Sequence, residues 1–345
     1  MSQGTNRLNV AIVGCGGIAT ERHVPSWRAN KKAKIIAVCD VDESKARFMA
    51  EKLHVRSYTN YMKMLDDESI DVVDIAVPTK LHGKLAIAAM QKGKNVIVEK
   101  PLAGSTEEAN EMIHLAKHVG VKLSVFHTMK AYPVIWKAKS LLEEGEIGRA
   151  TLLHFLTSCG KLQPWVMQQG GKLWEVGMHR IYLAQYLFGE VKKVKVQSYG
   201  DGVPEENLTL ILFNEKGISE IHLLDSEYNS ETITIHGEKG KILFPGLAFN
   251  TLIKTSSPQK GWSQIFSTEI ISNLKSSSAI FSRGMEYLLK KEKILPHSII
   301  VDNFIDSILR QEKLLVTPEE GLEAIRVLEE IEQNLKKAHL RTERA

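Results

Sequence analysis

The sequence is poor in cysteine. Cys15, Cys39 and Cys159 are the three in 345 residues, with no Cys-x-x-Cys pair among them. An odd, small and scattered set excludes a disulfide framework and a zinc ribbon, and it points to a reducing compartment. No apolar run approaches the roughly 20 residues of a membrane-spanning helix. No secretory leader precedes the first strand-like run, so a cytoplasmic location is expected. An excess of one charge is also missing: 45 Lys+Arg oppose 41 Asp+Glu, a net +4. Basic pairs such as Lys290-Lys291 and Lys336-Lys337 are scattered rather than striped. They read as solvated helix faces and exclude a nucleic-acid footprint. There is no internal repeat and no long low-complexity tract. What is present is an ordinary globular composition, 43% hydrophobic and 25% charged, long enough for two domains.

Residues 1–126 alternate strand and helix patterns. Apolar runs at Leu8–Val13, Ile35–Cys39, Val72–Val77, Asn95–Val98 and Lys122–Phe126 predict strands. Helical patterns fall between them at Ile18–Arg28, Glu43–Leu53, Lys80–Lys92 and Thr106–His118. Ser105 is placed to cap the last of these and Gly120 to end it. Such alternation with short connections predicts an α/β fold with a doubly wound parallel sheet. The pattern then changes. A helix at Pro133–Glu143 and a strand at Ala150–Ser158 precede a helix at Glu175–Phe188, which Gly189 ends. Strands joined by turns fill 192–244. This predicts an α+β domain with an open, mainly antiparallel sheet, one face packed on helices and the other free for a partner subunit. Residues 255–282 are serine-rich and aperiodic, which predicts a loop. Helices at Ser298–Arg310 and Pro318–Lys337 close the chain.

The first strand runs into Gly14-x-Gly16-Gly17-Ile18-Ala19, a glycine fingerprint with alanine third. Its first glycine permits a tight turn and its second lets the backbone approach a pyrophosphate; the small third residue lets helix and strand pack. A helix starting near Ile18 then aims its amides at the phosphates. Asp40 closes the second strand about twenty residues on, where an acid accepts bonds from ribose hydroxyls. It would repel a 2′-phosphate, which favours NAD over NADP. A turn or capping role for Asp40, just before Asp42-Glu43, is the alternative. Cys15 and Cys39 flank this turn as small core thiols.

Ligands of open α/β sheets sit beyond the carboxyl ends of the strands. Two segments arrive there: Ala76-Val77-Pro78-Thr79, leading to His82, and Glu99-Lys100-Pro101. Proline keeps the preceding lysine extended. Beside a positively charged nicotinamide, like charges disfavour the protonated lysine. Lys100 can then exchange a proton with a substrate hydroxyl while hydride moves. The alternative is a strand-end lysine reaching for solvent. In the second domain, Glu175 and His179 stand four apart on one helical face, able to orient a hydroxyl and share proton transfer. A surface ion pair is the other reading. No third ligand stands at a metal-binding spacing, so no metal is expected.

Together these residues resemble the glucose–fructose oxidoreductase/inositol dehydrogenase (Gfo/Idh/MocA) family. The order of motifs is similar: the glycine turn, Ala76-x-Pro78 with His82 four residues on, Glu99-Lys100-Pro101, Gly170-Gly171, then Glu175-x-Gly177-x-His179. Leu314–Gly321 is similar to the family's penultimate loop. The resemblance implies a Rossmann domain at 1–126 and a substrate-binding and oligomerisation domain at 127–345. It implies Lys100 as catalytic lysine, with His179 and Glu175 assisting. It places Gly14, Gly16, Gly17, Ile18, Asp40, Pro78, Thr79, His82, Glu99 and Lys100 at the cofactor. Substrate contacts fall to Lys100, His127, Trp165, Glu175, His179 and Tyr182. The resemblance also implies a cis Lys100–Pro101 bond, which members of the family often show. Several positions depart from the family pattern: Glu175 and Tyr182 replace aspartates, and Val166 and Lys130 replace arginines.

The expected activity is NAD-dependent hydride transfer to or from a secondary alcohol or ketone of a sugar, cyclitol or related polyol. The expected assembly is a homodimer or homotetramer through the C-terminal sheet, with neither nucleic acid nor membrane as partner. Two alternatives stand: an NAD-binding sugar sensor without catalysis, and a reductase of a non-sugar carbonyl or imine.

Overall fold

Strands that are apolar on both faces must be covered on both, and the first sheet is built from such runs. In the computed structural model, which describes residues 7–160, 162, 164–167, 170–199, 207–245, 252–256 and 296–342, they are β1 (Leu8–Val13), β2 (Ala33–Cys39), β4 (Val72–Ile75), β5 (Asn95–Val98) and β6 (Leu123–Val125). With a short edge strand, β3 (Arg56–Tyr58), they form a six-stranded sheet in the order β3-β2-β1-β4-β5-β6. Every pair in it is parallel. The order reverses between β1 and β4, which opens a crevice at their carboxyl ends.

The helices of this layer are α1 (Val24–Ala29), α2 (Glu43–Leu53), α3 (Tyr61–Asp67), α4 (His82–Gln91) and α5 (Thr106–Val119). The Ser105 hydroxyl accepts from the Glu108 amide at 3.2 Å, and Gly120 ends α5 at φ +76°. The helix expected over 18–28 is observed as a continuous helical run from Gly17 to Ala29 that contains a π turn, Ala19–His23, before α1. Pro25 has no N–H to continue an α ladder, and the wider turn aims His23 into the core. The short pair β3 and α3 escaped the sequence reading. Three half-polar residues give no period, although Asn60 caps α3 by accepting from the Lys63 amide at 3.0 Å.

The chain divides into two units, Met1–Ala131 with Ile294–Arg326 and Tyr132–Lys293 with Val327–Ala345. A late segment of the chain thus returns to the first unit. Helix α9 (Pro296–Leu309), the ninth α-helix among the described residues, buries Ile300, Val301, Phe304 and Ile305 there. The Ser124 hydroxyl of β6 donates to the Val316 carbonyl at 2.8 Å. At Gly321 a Cβ would lie 3.1 Å from Leu102. Gly321 stands in α10 (Pro318–Thr342), whose first turns belong to the first unit and the remainder to the second.

The second unit holds α6 (Pro133–Glu143), α7 (Pro164–Met167), a π turn at Leu173–Gly177 and α8 (Met178–Phe188). Its strands are β7 (Ala150–Cys159), β8 (Val191–Tyr199), β9 (Asn207–Asn214), β10 (Gly217–Asp225), β11 (Ser230–Gly237), β12 (Gly240–Pro245) and β13 (Ile253–Ser256). They form one sheet in the order β13-β12-β11-β7-β10-β9-β8. The β7–β10 pair is parallel and the other pairs are antiparallel. Alternation is strict on β10: Ser219, Ile221 and Leu223 are buried, while the residues between them are half-buried or exposed. Helix α8 packs on the sheet near β10, β7 and β9. Of the loop expected over 255–282, Thr255 and Ser256 lie in β13 and the rest falls outside the described residues. Among the described residues no helix is long and apolar enough to cross a membrane.

Candidate active site

Gly14 adopts φ +97°, and a Cβ there would meet the Ala76 carbonyl oxygen at 2.1 Å. This is the close approach of β1 to the end of β4, and glycine alone fits it. Around Gly16 and Gly17 a Cβ would meet nothing within 4 Å. The backbone is therefore open to a phosphate at the start of the following helix, where the first amides lack intrahelical acceptors. Asp40 ends β2 beside this turn. Its Oδ2 accepts from the Cys15 amide at 2.7 Å and its Oδ1 from the Asp42 amide at 2.9 Å. Asp42, rather than Asp40, caps α2. Each Asp40 oxygen retains a lone pair for a ribose hydroxyl. Burial, then the Asp40 charge, pushes the Cys15 thiol up to about 12 and the Cys39 thiol to about 11, so both stay neutral.

At the next two strand ends, Pro78 is exposed and precedes a 3₁₀ turn at Thr79–Leu81. His82 is buried, with Nδ1 at 2.8 Å from the Pro101 carbonyl and Nε2 at 2.8 Å from the Val77 carbonyl. Burial lowers its pKa, so the neutral ring donates to one carbonyl at a time and holds the two loops together. The Lys100–Pro101 bond is cis. Lys100 is half-buried, and its backbone amide donates to Glu99 Oε2 at 2.8 Å. Behind it lies His127, fully buried. Burial, with the Lys100 and Lys130 charges, pushes the His127 imidazole to about 3. It is neutral and adjoins Lys100. Lys130 itself bonds Glu320 at 2.5 Å.

A buried knot, missed in the sequence, holds this corner. His23 Nδ1 lies 2.9 Å from both Asp74 oxygens, and its Nε2 lies 2.9 Å from Glu99 Oε1. The Trp27 indole donates to Asp74 at 2.6 Å. His297 Nε2 stands 3.7 Å from Glu99 Oε1. Burial opposes a charge on His23, yet the charges and hydrogen bonds of Asp74 and Glu99 outweigh it and raise its pKa to about 10. Glu99 likewise overcomes burial and is held well below its usual value of 4.5 by His23 and His297. The signal available in the sequence was Asp74, a carboxylate inside the apolar run Val72-Val73-Asp74-Ile75, which must find a partner.

In the second unit, Gly170 and Gly171 adopt φ +98° and +61°. The Trp174 ring occupies the space a Gly170 Cβ would need, at 2.2 Å, so that glycine serves the turn. Trp174 donates to Glu332 at 2.6 Å. Lys172 is buried against Asp225 in an ion pair, and Arg180 against Glu231. Glu175 lies in the π turn and His179 in α8, both half-buried. The expected helix thus contains a wider turn between Leu173 and Gly177. Tyr182 is 2% exposed, leaving little surface for a ligand. Trp165 lies in α7.

Comparison with known proteins bears on the whole chain. The sequence profile described as "Oxidoreductase family, NAD-binding Rossmann fold" matches residues 8–127, and that of the same family's C-terminal alpha/beta domain matches 139–339. The chain belongs to the Gfo/Idh/MocA oxidoreductase family. Levoglucosan dehydrogenase of Pseudarthrobacter phenanthrenivorans is 29% identical over 290 residues, covering 69% of this chain and 73% of that protein. D-apiose dehydrogenase of Paraburkholderia graminis is 29% identical over 235 residues, 65% of this chain and 61% of the relative. The WlbA dehydrogenase from Bordetella pertussis, solved with NADH and UDP-GlcNAcA, shares the fold at TM-score 0.76 and 20% identity over 96% of this chain and 97% of its own. As a Gfo/Idh/MocA member the chain is an oxidoreductase with an NAD-binding Rossmann unit, and the open cradle at Gly16-Gly17 with Asp40 beside it fits that cofactor.

The glycines separate structure from binding in this Gfo/Idh/MocA chain. Gly14→Ala should lower the urea midpoint sharply, since a Cβ collides with Ala76. Gly16→Ala should keep the unfolding free energy within about 1 kcal/mol and weaken NAD binding by about tenfold or more, read by calorimetric titration. The His23 knot predicts a pH signature. His23 holds its proton more tightly folded, about 10, than unfolded, 6.5. Its stabilisation is therefore whole below pH 6.5 and is lost as pH rises through about 10. Glu99 behaves oppositely, stabilising above pH 4.5 and less as pH falls through its lowered value. His23→Gln should remove about 3–5 kcal/mol at pH 7 and flatten the decline between pH 6.5 and 10 in urea unfolding.

Proposed function

We propose that this protein moves hydride between NAD and a secondary alcohol or ketone of a sugar, cyclitol or related polyol. The single observation that supports it best is Lys100, half-buried at the carboxyl end of β5 in an NAD-binding oxidoreductase fold. Its backbone amide donates to Glu99 Oε2. Relatives named as levoglucosan and D-apiose dehydrogenases support the substrate class. Asp40 at the tip of β2 supports NAD over NADP.

When bound, NAD supplies a hydride acceptor at its nicotinamide ring. Lys100 takes the hydroxyl proton during oxidation and returns it during reduction. Neutral His127 adjoins Lys100 without adding a competing positive charge. His179 and Glu175 orient the reacting hydroxyl and relay the proton. Glutamate is one methylene longer than the aspartate frequent at its position, so the hydroxyl it holds sits further from the helix. Copies of the chain associate as a dimer or tetramer through the half-buried face of the seven-stranded sheet.

Lys100→Met should lower kcat by about 10²–10⁴ while the NAD dissociation constant stays within a few-fold. His179→Asn should lower kcat less. Near-normal turnover by Lys100→Met would overturn the assignment. Tight NAD binding with no reduction across a panel of free, phosphorylated and nucleotide-linked sugars would favour the sensor instead. A monomer by light scattering would overturn the assembly.

A further inference from the structure

The half-buried face of the seven-stranded sheet carries a cluster that hydride transfer does not use. His154 stands on β7, and Glu220 and His222 stand on β10. The two strands are parallel neighbours, with Glu220 paired to His154. Residues two apart share a face of a strand, so His222 projects to the same side. Each of the three offers a ligand atom, and those atoms lie within 4.8 Å of one another. The imidazoles meet edge-on with ring centres 5.2 Å apart. His222 Nε2 is 3.5 Å from Glu220 Oε1. That is long for a hydrogen bond, and it matches the separation of about 3.4 Å between two ligands bonded at 2.0–2.1 Å to one tetrahedral ion.

A second feature points the same way. Thr209 Oγ1, on β9, lies 3.0 Å from His222 Nδ1. When Nδ1 donates its hydrogen to that oxygen, the ring's lone pair is left on Nε2, facing Glu220. Metal-binding histidines are oriented by such a bond from the other ring nitrogen.

The other close group of this composition among the described residues, His23, Glu99 and His297, has the opposite character. Both His23 nitrogens already face carboxylates at 2.9 Å, and the protonated ring has no lone pair to give. That group is an ion-pair knot.

We propose that His154, Glu220 and His222 form a binding site for a divalent transition metal of the zinc type, with two nitrogen donors, one carboxylate oxygen and a remaining position for water. Imidazole with carboxylate suits Zn²⁺ and its neighbours over Mg²⁺ or Ca²⁺. All three ligands come from one chain, so the site holds one ion per chain whatever the assembly. The proposal is independent of the reaction assigned to Lys100.

The test uses the full-length protein, dialysed against chelator and titrated with Zn²⁺ in competition with a chromophoric chelator. One equivalent should bind. The double variant His154→Ala/His222→Ala should lose that equivalent, and Thr209→Val should weaken it about 10–100-fold. Co²⁺ should give tetrahedral visible bands in the wild type that vanish in the double variant. These side chains are half-buried, so far-UV circular dichroism should be unchanged. Should the double variant unfold, Glu220→Gln replaces it and should alter the Co²⁺ bands. Unchanged stoichiometry and affinity in the variants, or no saturable binding by the wild type, would overturn the proposal.

Discussion

One buried imidazolium organises the first unit. His23 comes from the π turn after the glycine loop, Asp74 from the middle of β4 and Glu99 from the end of β5. Two carboxylates in an apolar core would repel each other and lose their hydration. A protonated ring between them, with the Trp27 indole on Asp74, reverses both penalties. The consequence reaches the chemistry. The same Glu99 that binds His23 through Oε1 accepts the Lys100 amide through Oε2. The glycine loop proposed to receive the cofactor and the lysine proposed to act on the substrate are therefore positioned by one charged contact.

Around that contact, the loops at the switch point are tied by short polar links. Asp40 holds the Cys15 amide and the Asp42 amide, which fixes the acid against the glycine turn without removing its remaining lone pairs. His82 spans from the Val77 carbonyl to the Pro101 carbonyl. His127, kept neutral by burial, places an uncharged ring beside Lys100. The two neutral imidazoles occupy this corner while leaving the local positive charge to the lysine. The second unit works differently: its ion pairs, Lys172 with Asp225 and Arg180 with Glu231, tie the region of Gly170–Arg180 to strands of the sheet.

Residues far apart in sequence become chemistry only when strand register places them together. His154 and Glu220 are sixty-six positions apart, yet a parallel pairing sets them side by side. No spacing rule would group them, and the sequence reading accordingly expected no metal. His23 and Glu99 are joined by a side-chain hydrogen bond across 76 positions.

The sequence by itself determined the local facts: apolar runs that must be buried strands, the glycine fingerprint, the Ser105 and Gly120 helix ends, and the Glu99-Lys100-Pro101 corner. These follow from period, turn chemistry and backbone sterics, which act over a few residues. Tertiary structure alone decided the return of α9 and the start of α10 to the first unit, the charge on His23, and the burial of Tyr182. It also revealed that Gly14 answers to Ala76 while Gly16 faces open space. Each of these depends on what packs against a residue from elsewhere in the chain, and desolvation and electrostatic pairing are properties of that neighbourhood.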